Sequence, residues 1–358
     1  MQTVDLLKLA AKERASDVHV VPGSVPLFRI DGLLHPAASC ALLSAEKTEE
    51  MILSLLTVPQ KARLSQESTV DFSLNVDDMR YRGNVVFQRN GLEAIFRLIP
   101  TKIPTPEDLQ LPPIITELAN LKSGLVLVTG PTGAGKSTTL ACLLDQINQR
   151  RHGNIITIED PIEFIHANKN CVVSQREVGI HTPTFSGAMR SVMRQDPDVV
   201  MVGEMRDLET IAAAITVAET GHLVLATLHS VDAAQAVDRI VDVFPGHQQQ
   251  QIRIQLSGVL RAVIAQTLLP LAKGRGRVAV REIMLVTSGI ANLIRSGKNH
   301  EIYAAIEMGA REGMISLGRA TAELVKKGLV EPPDVAAFSN AQPSAGPRRR
   351  ATDFPAAA

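Results

Sequence analysis

The chain has few aromatic residues and an even balance of charge. Its 358 residues include no tryptophan and only 3% aromatic side chains, so its hydrophobic cores must be aliphatic. The 37 basic and 37 acidic side chains cancel. No global field therefore attracts nucleic acid or anionic lipid, which weighs against a motor that tracks along DNA. No segment approaches the roughly 18 apolar residues that a membrane-spanning helix needs.

The chain also has few cysteines. Cys40, Cys142 and Cys171 are widely separated and form no C-x-x-C pair. An odd number without metal-ligand spacing is typical of buried thiols in a reducing compartment, and it disfavours disulfides or a zinc cluster. The N-terminal segment carries acidic residues and lacks the apolar region of a secretory signal peptide. We therefore expect a cytoplasmic protein whose membrane contacts go through a partner.

Composition and periodicity divide the chain into four parts. Residues 1–100 predict a small α+β domain, and residues 101–113, in a segment with many prolines, predict a semi-rigid linker. Residues 114–340 alternate apolar strand-like runs with helical patterns, which predicts an α/β domain with a parallel sheet covered on both faces. The Pro- and Ala-rich residues 341–358 predict a disordered tail.

The first domain contains a hairpin pattern with two arginines. Met79–Gln88 and Leu92–Ile99 flank Asn90-Gly91, a strong signal for a two-residue turn. That turn places Asn84 opposite Arg97, with Arg82 diagonal to Arg97 on the same face. The other face then carries the apolar side chains Tyr81, Val85, Phe87, Ala94, Phe96 and Leu98. Arg82 and Arg97 are either a solvated face or a pair delivered to a neighbouring subunit, and the sequence leaves both readings open.

The second domain begins with the segment GLVLVTGPTGAGKSTTL, residues 124–140. It contains the G-x-x-x-x-G-K-[ST] motif between a predicted strand at residues 125–129 and a predicted helix at residues 137–149. In that context backbone N–H groups cradle phosphates, a lysine reaches the β- and γ-phosphates, and a hydroxyl holds Mg²⁺. The segment therefore predicts an ATP and Mg²⁺ site. Its nucleotide-binding residues are Gly130, Pro131, Thr132, Gly133, Ala134, Gly135, Lys136, Ser137 and Thr138.

Carboxylates follow the next two predicted strands. Glu159, Asp160 and Glu163 come after the strand at residues 154–158, and Glu204 ends the apolar run at residues 199–202. Because ligands lie at the carboxyl ends of parallel strands, we expect these groups near the phosphates. Glu163 is the candidate that orients or deprotonates the attacking water. Glu204 is the candidate that orders Mg²⁺ directly or through water, together with Ser137.

Two histidines flank the last predicted parallel strand, at residues 223–227. His229 follows the strand and is a candidate sensor of the γ-phosphate, donating to phosphate or to Glu204. His222 precedes the strand and is a weaker candidate for nucleotide contact, since a residue past a helix end often satisfies helix carbonyls. Asp207 is expected to cap the following helix. Arg194 and Arg206 are the only obvious cations of this domain near the strand ends.

Together these motifs resemble the ATPases of type II secretion and type IV pili, most closely the pilus-retraction branch. The resemblance covers about residues 1–330. It rests on ASDVH from Ala15, the phosphate loop, IEDPIEF from Ile158, QREVG from Gln175, RQDPDVVMVGEMRD from Arg194 and TGHLVLATLH from Thr220.

The resemblance implies a PAS-like N-terminal domain and a RecA-like ATPase domain, assembled as a hexameric ring. In that family the nucleotide lies between subunits, arginines act in trans, and ATP turnover drives an inner-membrane platform protein. It further implies a position at the pilus base and, as a second partner, a paralogous retraction ATPase. Arg82 and Arg97 would then be the arginines that act in trans.

Three alternatives stay open. Residues 289–294 read GIANLI where the retraction branch carries AIRNLI, and Leu271 stands where arginine is usual, so pilus extension or type II secretion is one alternative. The tetracysteine element and longer N-terminal region typical of those ATPases are not found in this sequence. A nucleic-acid motor on the same core is the second alternative. The third is an adaptor that binds ATP without hydrolysis to regulate a paralogous motor.

Overall fold

The computed structural model describes residues 2–30, 32–38, 40–77, 79–99, 102–273 and 276–332. The expected disordered tail and parts of the expected linker and turns lie outside these residues. The chain forms two compact units. The first comprises residues 1–103 together with residues 162–166, and the second comprises the remainder. Within the described residues, every helix falls short of the length and apolarity that crossing a bilayer requires.

The first unit is a six-stranded antiparallel sheet with three helices. Its strands are β1 (Asp17–Val20), β2 (Leu27–Ile30), β3 (Leu33–Pro36), β4 (Thr69–Val76), β5 (Met79–Gln88) and β6 (Gly91–Ile99). Its helices are α1 (Thr3–Lys12), α2 (Ala45–Leu53) and α3 (Val58–Glu67). The strand order is β3-β2-β1-β6-β5-β4. The core contains Phe96 and Tyr81. The Tyr81 hydroxyl donates a hydrogen bond to the Leu7 carbonyl at 2.7 Å.

The second hairpin of this unit differs from its predicted register. Gln88 pairs with Gly91, so the loop is Arg89-Asn90, and Gly91 begins β6 at φ +124°. Every pair consequently slips by two residues: Arg82 lies directly opposite Arg97, and Asn84 lies opposite Ile95, so the predicted Asn84–Arg97 pair was wrong. The two arginines still share one face because a slip of two preserves side-chain direction. Phe87 is 50% exposed, so this side chain of the predicted apolar face does not belong to the core.

The second unit contains a seven-stranded sheet. Its strands are β7 (Gly124–Thr129), β8 (Gly153–Glu159), β9 (Cys171–Glu177), β10 (Val199–Val202), β11 (Leu223–Leu228), β12 (Leu260–Pro270) and β13 (Arg277–Leu285). Their order is β13-β12-β7-β11-β10-β8-β9. All paired neighbours are parallel except β12 and β13, which form an antiparallel hairpin. The predicted parallel sheet is confirmed, whereas β9 was not predicted.

Helices cover both faces of this sheet. They are α4 (Pro113–Glu117), α5 (Lys136–Arg150), α6 (Phe185–Val192), α7 (Leu208–Glu219), α8 (Ala233–Asp242), α9 (Gly246–Val259), α10 (Ser288–Ser296), α11 (Ile302–Met308) and α12 (Leu317–Lys326). Leu125 and Leu127 of β7 pack into one hydrophobic cluster, and Val126 and Val128 pack into another. Because successive side chains point to opposite faces, β7 is buried on both sides, as a continuous apolar run predicts.

The segment before β7 packs onto the same sheet. Leu111 is buried and Leu109 is partly buried in the cluster that contains Leu140 and Leu143 of α5. Most of the expected linker, from Pro104 onward, therefore belongs to the second unit. Its later half is anchored by apolar contacts.

Candidate active site

Residues 130–135 form a tight loop between β7 and α5. Gly130, Gly133 and Gly135 have φ values of +148°, +76° and +83°, a conformation that glycine adopts without steric cost. This backbone lets consecutive N–H groups turn toward a common point. The 15-residue helix α5 then begins at Lys136, so its positive N-terminal end faces the same point. The loop has the geometry of a phosphate site.

Lys136 lies folded against its own loop. Its side chain is buried, and its ammonium group donates to the carbonyl oxygens of Gly130 at 2.9 Å and Pro131 at 3.0 Å. A bound triphosphate would offer charged oxygens in place of these neutral carbonyls, and charge-assisted hydrogen bonds are stronger. We therefore expect Lys136 to exchange these contacts for phosphate when nucleotide binds.

Glu204 follows β10, and its carboxylate contacts the side chains of Arg206 and His229. Arg206 donates to one carboxylate oxygen at 2.7 Å, and Nε2 of His229 lies 3.0 Å from the other. Burial alone would raise the pKa of Glu204. The Arg206 hydrogen bond and the positive charges of His229, Arg206 and Lys136 outweigh burial and keep this pKa below its ordinary value. Glu204 is therefore ionised and lies within electrostatic reach of the phosphate-loop lysine.

The contact between His229 and Glu204 is one that the sequence suggested. It forms because β10 and β11 are adjacent and parallel, with Val202 opposite Ala226, so both strands end at one edge of the sheet. The same edge carries the end of β7, since Thr129 pairs with Leu228. The Thr129 hydroxyl contacts the Ser230 hydroxyl at 2.6 Å and fixes the two strand ends to each other.

The carboxylates at the end of β8 differ in their exposure to solvent. Glu159 is buried, and its carboxylate accepts from Thr157 at 2.6 Å and from Gln175 of β9 at 3.0 Å. Asp160 is exposed, and its negative charge adds to that of Glu204 in raising the pKa of Arg206. Glu159 and Asp160 therefore lie in different environments although they are adjacent in sequence.

Glu163 lies in the segment of residues 162–166, which groups with the first unit. Ile162, Phe164 and His166 are buried, whereas Glu163 and Ile165 are exposed. The structure therefore does not assemble Glu163 with Glu204 inside the second unit. Its role in activating water stays a prediction.

His222 does not lie at the phosphate edge of its own subunit. It directly precedes β11, whose first residue pairs with Gly124 at the start of β7, whereas the phosphate loop follows the other end of β7. Six strand residues separate the two ends by about 20 Å. The ring contacts the Val217 carbonyl at 3.1 Å and the Thr220 hydroxyl at 3.0 Å, at the end of α7. The assignment of His222 to the nucleotide pocket of this subunit is corrected accordingly.

Asp207 caps α7, as expected. Its carboxylate accepts from the backbone and the hydroxyl of Thr210 at 2.8 and 2.9 Å.

The arginine pair of the first unit is largely exposed. Arg97 is 71% exposed, and its Nε donates to the buried carboxylate of Asp17 at 2.7 Å. Arg82 is 42% exposed and lies 3.8 Å from Asp71. Each arginine has a carboxylate partner and keeps guanidinium surface available to solvent. Their action in trans stays a prediction.

The residues predicted to hold a metal fit Mg²⁺ in chemistry. Ser137 and Glu204 offer a hydroxyl and a carboxylate, the oxygen ligands that Mg²⁺ prefers. No group of three or more His, Cys, Asp or Glu side chains able to hold a metal occurs in the described part of the chain. Such a sparse protein ligand set suits an ion that keeps several waters and is otherwise held by substrate phosphates.

Gln266 of β12 is a site residue that sequence reasoning missed. Its side chain is buried, donates to the carbonyl oxygen of Ala134 and accepts from the Thr139 hydroxyl at 2.9 Å. The signal in the sequence was the polar pair Gln266-Thr267 inside the otherwise apolar run at residues 262–269.

The second unit has a RecA-like core, with a glycine-rich loop between a buried parallel strand and a helix and with Glu204 and His229 at neighbouring strand ends. This arrangement is typical of the ATPase class. The comparisons with known proteins identify the family. The family model of type II/IV secretion system proteins matches residues 3–336. The chain belongs to this family.

Similar proteins span nearly the whole chain. The type IV pilus retraction ATPase PilT of Pseudomonas aeruginosa is 45% identical over 331 residues, covering 92% of this chain and 96% of that protein. The twitching motility protein of Neisseria gonorrhoeae is 41% identical over 92% of this chain and 88% of its own length. A crystal structure of the pilus retraction motor PilT with bound ADP superimposes with a TM-score of 0.88, at 41% identity, over 94% of this chain and 99% of that one.

Proposed function

We propose that this chain is an ATP-hydrolysing motor that powers the retraction of type IV pili. The observation that carries the proposal is the contact of Glu204 with His229 at the sheet edge that bears the phosphate loop. It occurs in a chain that resembles pilus retraction ATPases over almost its full length. ADP bound to the similar crystal structure supports nucleotide binding by this chain.

Each residue of the proposed site has its own role in ATP hydrolysis. The loop amides and Lys136 bind the β- and γ-phosphates, and Ser137 and Glu204 hold Mg²⁺, which neutralises charge on the phosphates. His229 fixes the orientation of Glu204 and senses the γ-phosphate. Glu163 orients the attacking water.

The assembly we propose is a homohexamer with the nucleotide between subunits. Arg82 and Arg97 of a neighbouring subunit then stabilise the charge that develops on the γ-phosphate, a contribution of roughly 10³- to 10⁵-fold in rate in other phosphoryl-transfer enzymes. The partner is the inner-membrane platform protein of the pilus, with a paralogous retraction ATPase as a second partner. The protein then acts in the cytoplasm at the pilus base.

Hydrolysis by the purified full chain tests the enzymatic proposal. Phosphate release should require Mg²⁺, stop on chelation with EDTA and fall to background in Lys136→Ala. Binding of ATP without Mg²⁺-dependent hydrolysis would instead support the alternative of an adaptor that regulates a paralogous motor. Strong stimulation by single-stranded DNA would support a nucleic-acid motor.

Deletion of the gene in the native cell tests the direction of movement. Loss of a retraction motor should leave cells with excess pili and no surface motility. Cells without pili would indicate an extension ATPase and overturn the assignment to retraction.

A further inference from the structure

The strand β12 places Gln266 directly beside the phosphate loop. Ala265 pairs with Thr129, the last residue of β7, so Gln266 lies level with Gly130. A Cβ at Gly130 would lie only 2.1 Å from the Gln266 carbonyl oxygen. The first glycine of the loop is therefore in close contact with the β12 backbone, and only glycine fits there.

The Gln266 side chain contacts both the loop and the helix that follows it. Its amide nitrogen donates to the Ala134 carbonyl, and a Cβ at Gly135 would lie 3.1 Å from the same nitrogen. Its amide oxygen accepts from the Thr139 hydroxyl at 2.9 Å. Gln266 is 3% exposed. One buried amide thus joins the last residues of the loop to the first turn of α5.

Arg281 of β13 connects this amide to the segment before the sheet. Arg281 pairs with Gln266 across the hairpin, and its Nε donates to the Gln266 amide oxygen at 3.4 Å. Its terminal nitrogen donates to the Leu109 carbonyl at 3.2 Å. Leu109 belongs to the proline-rich segment that leads from the first unit into the second. A continuous chain of hydrogen bonds therefore runs from Leu109 through Arg281 and Gln266 to Ala134.

Arg281 is held in an unusual environment for a cation. It is 7% exposed, and burial lowers its pKa to about 10, so it stays charged at neutral pH. Both of its acceptors within the described residues, at Gln266 and Leu109, are neutral oxygens. A buried charge with only two neutral acceptors depends on their exact placement, because losing either leaves it poorly solvated. We therefore expect a displacement of Leu109 to move Arg281 and so to change its hydrogen bond with Gln266.

We propose that Gln266 is a positioning residue that holds the phosphate loop in its nucleotide-binding form, and that Arg281 couples this loop to the carbonyl of Leu109. The proposal rests on nucleotide binding at the phosphate loop, as proposed above. It predicts that substitutions in the relay change nucleotide affinity, and that nucleotide in turn changes the segment around Leu109. Reciprocity of this kind is required of any coupling between two sites.

Two substitutions at Gln266 separate the loop contact from folding. Gln266→Met keeps the length of the side chain and removes its hydrogen bonds, and we expect ADP to bind about tenfold more weakly, with kcat changed less than threefold, since the catalytic groups are untouched. Gln266→Glu still accepts from Thr139 and Arg281, but it cannot donate to Ala134 and places negative charge beside the phosphates. It should weaken ADP binding further while leaving the chain as stable as Gln266→Met or more stable.

Arg281→Met tests the second part of the relay, with Arg151→Met as its matched control. Arg151 is also partly buried and also donates to backbone carbonyls, those of Ala119 and Leu121, but it follows the far end of α5. Both substitutions should lower thermal stability. Only Arg281→Met should weaken ADP binding, by about three- to tenfold.

Hydrogen exchange measures the coupling directly. The amides of Leu109, Gln110 and Leu111 donate to backbone carbonyls within the same segment, so their exchange reports on its order. Saturating ADP should change their exchange rates at least about threefold in the wild-type chain and much less in Arg281→Met. Wild-type rates that do not respond to ADP would overturn the coupling. Wild-type ADP affinity in both Gln266 variants would overturn the positioning role.

Lys136→Ala distinguishes failure of this inference from failure of the proposed function. If the wild-type chain does not bind ADP, or if Lys136→Ala binds it equally well, the phosphate loop is not the nucleotide site and the proposed function fails. If Lys136→Ala loses affinity while the Gln266 and Arg281 variants keep it, only the relay is refuted.

Discussion

Glu204 provides a quantitative test of the site, because its ionisation depends on a partner that can be removed. Arg206 donates to Glu204 at 2.7 Å, and the carboxylate is 18% exposed. Without Arg206, burial would act on Glu204 with less compensation, and its pKa would rise. The change to make is Arg206→Met, combined with Glu204→Gln in a double-mutant cycle on thermal stability.

The structure sets the size of the effect. A hydrogen bond between two charged groups contributes about 1.5–3 kcal/mol when shielded from solvent. The Arg206 side chain is 66% exposed, which moves the value toward the range of surface ion pairs. We therefore expect a coupling energy of about 1 kcal/mol at pH 7.5, which is close to one unit of pKa.

The direction in which the coupling energy changes with pH follows from the lowered pKa of Glu204. A carboxylate whose pKa is lower in the folded state contributes stability that is present above its unfolded value, about 4.3, and is lost as pH falls through the folded value. The coupling between Arg206 and Glu204 should therefore be constant from pH 8 to about pH 5 and decline below about pH 4.

The assay is thermal unfolding of the four proteins at fixed concentration and several pH values. Arg190 and Glu209 form the matched control cycle, since they lie 3.9 Å apart with both side chains largely exposed. Their coupling should be close to zero at every pH. A coupling between Arg206 and Glu204 no larger than that of the control pair, or one that persists unchanged at pH 3.5, would refute the electrostatic account of this site.

Three further predictions concern ATP turnover and ATP binding. Glu163→Gln should bind ATP and hydrolyse it at least about 100-fold more slowly, and unchanged turnover would remove Glu163 from the mechanism. Arg82→Ala and Arg97→Ala should each lower turnover but not ATP binding. Mixing either variant with Lys136→Ala should restore some activity if subunits share the site, and absence of rescue at every ratio would contradict sharing. His222→Ala should leave ATP binding by the purified chain unchanged while lowering its melting temperature, because the ring contacts the end of α7. A variant that keeps the wild-type melting temperature but loses ATP binding would refute this placement.

Much of the fold was predictable because its signals are local. The strand–loop–helix at residues 124–150 is encoded in one continuous segment, by β-branched residues, three glycines at positive φ and a helix that begins at Lys136. The convergence of Glu204 and His229 was also predictable, since parallel strands end at the same edge. In these cases a continuous segment, or the general rule for parallel strands, was sufficient for the prediction.

What could not be predicted depends on geometry between distant segments. The hairpin register depended on whether Asn90 and Gly91, or Arg89 and Asn90, occupy the loop, and both choices keep the apolar face buried. The grouping of Glu163 with the first unit depends on contacts of residues 162–166 with a part of the chain that is distant in sequence. Gln266 contacts residues that lie more than 100 positions earlier, so no local pattern marks it as a partner of the phosphate loop.

The charges of the second unit give a reason to expect help from another subunit. Arg206 and His229 both contact Glu204, so the positive charge of Arg206 is already engaged with a carboxylate of the same unit. Lys136 donates to two neutral carbonyl oxygens, for which charged phosphate oxygens can substitute. A complex of Mg²⁺ with ATP carries net negative charge, and more charge develops where the γ-phosphate leaves. Lys136 compensates only part of that charge, so we expect further arginines to act at the site. Arg194 of the same subunit and the exposed pair Arg82 and Arg97 of a neighbouring copy are the candidates, and the mixing experiment above distinguishes them.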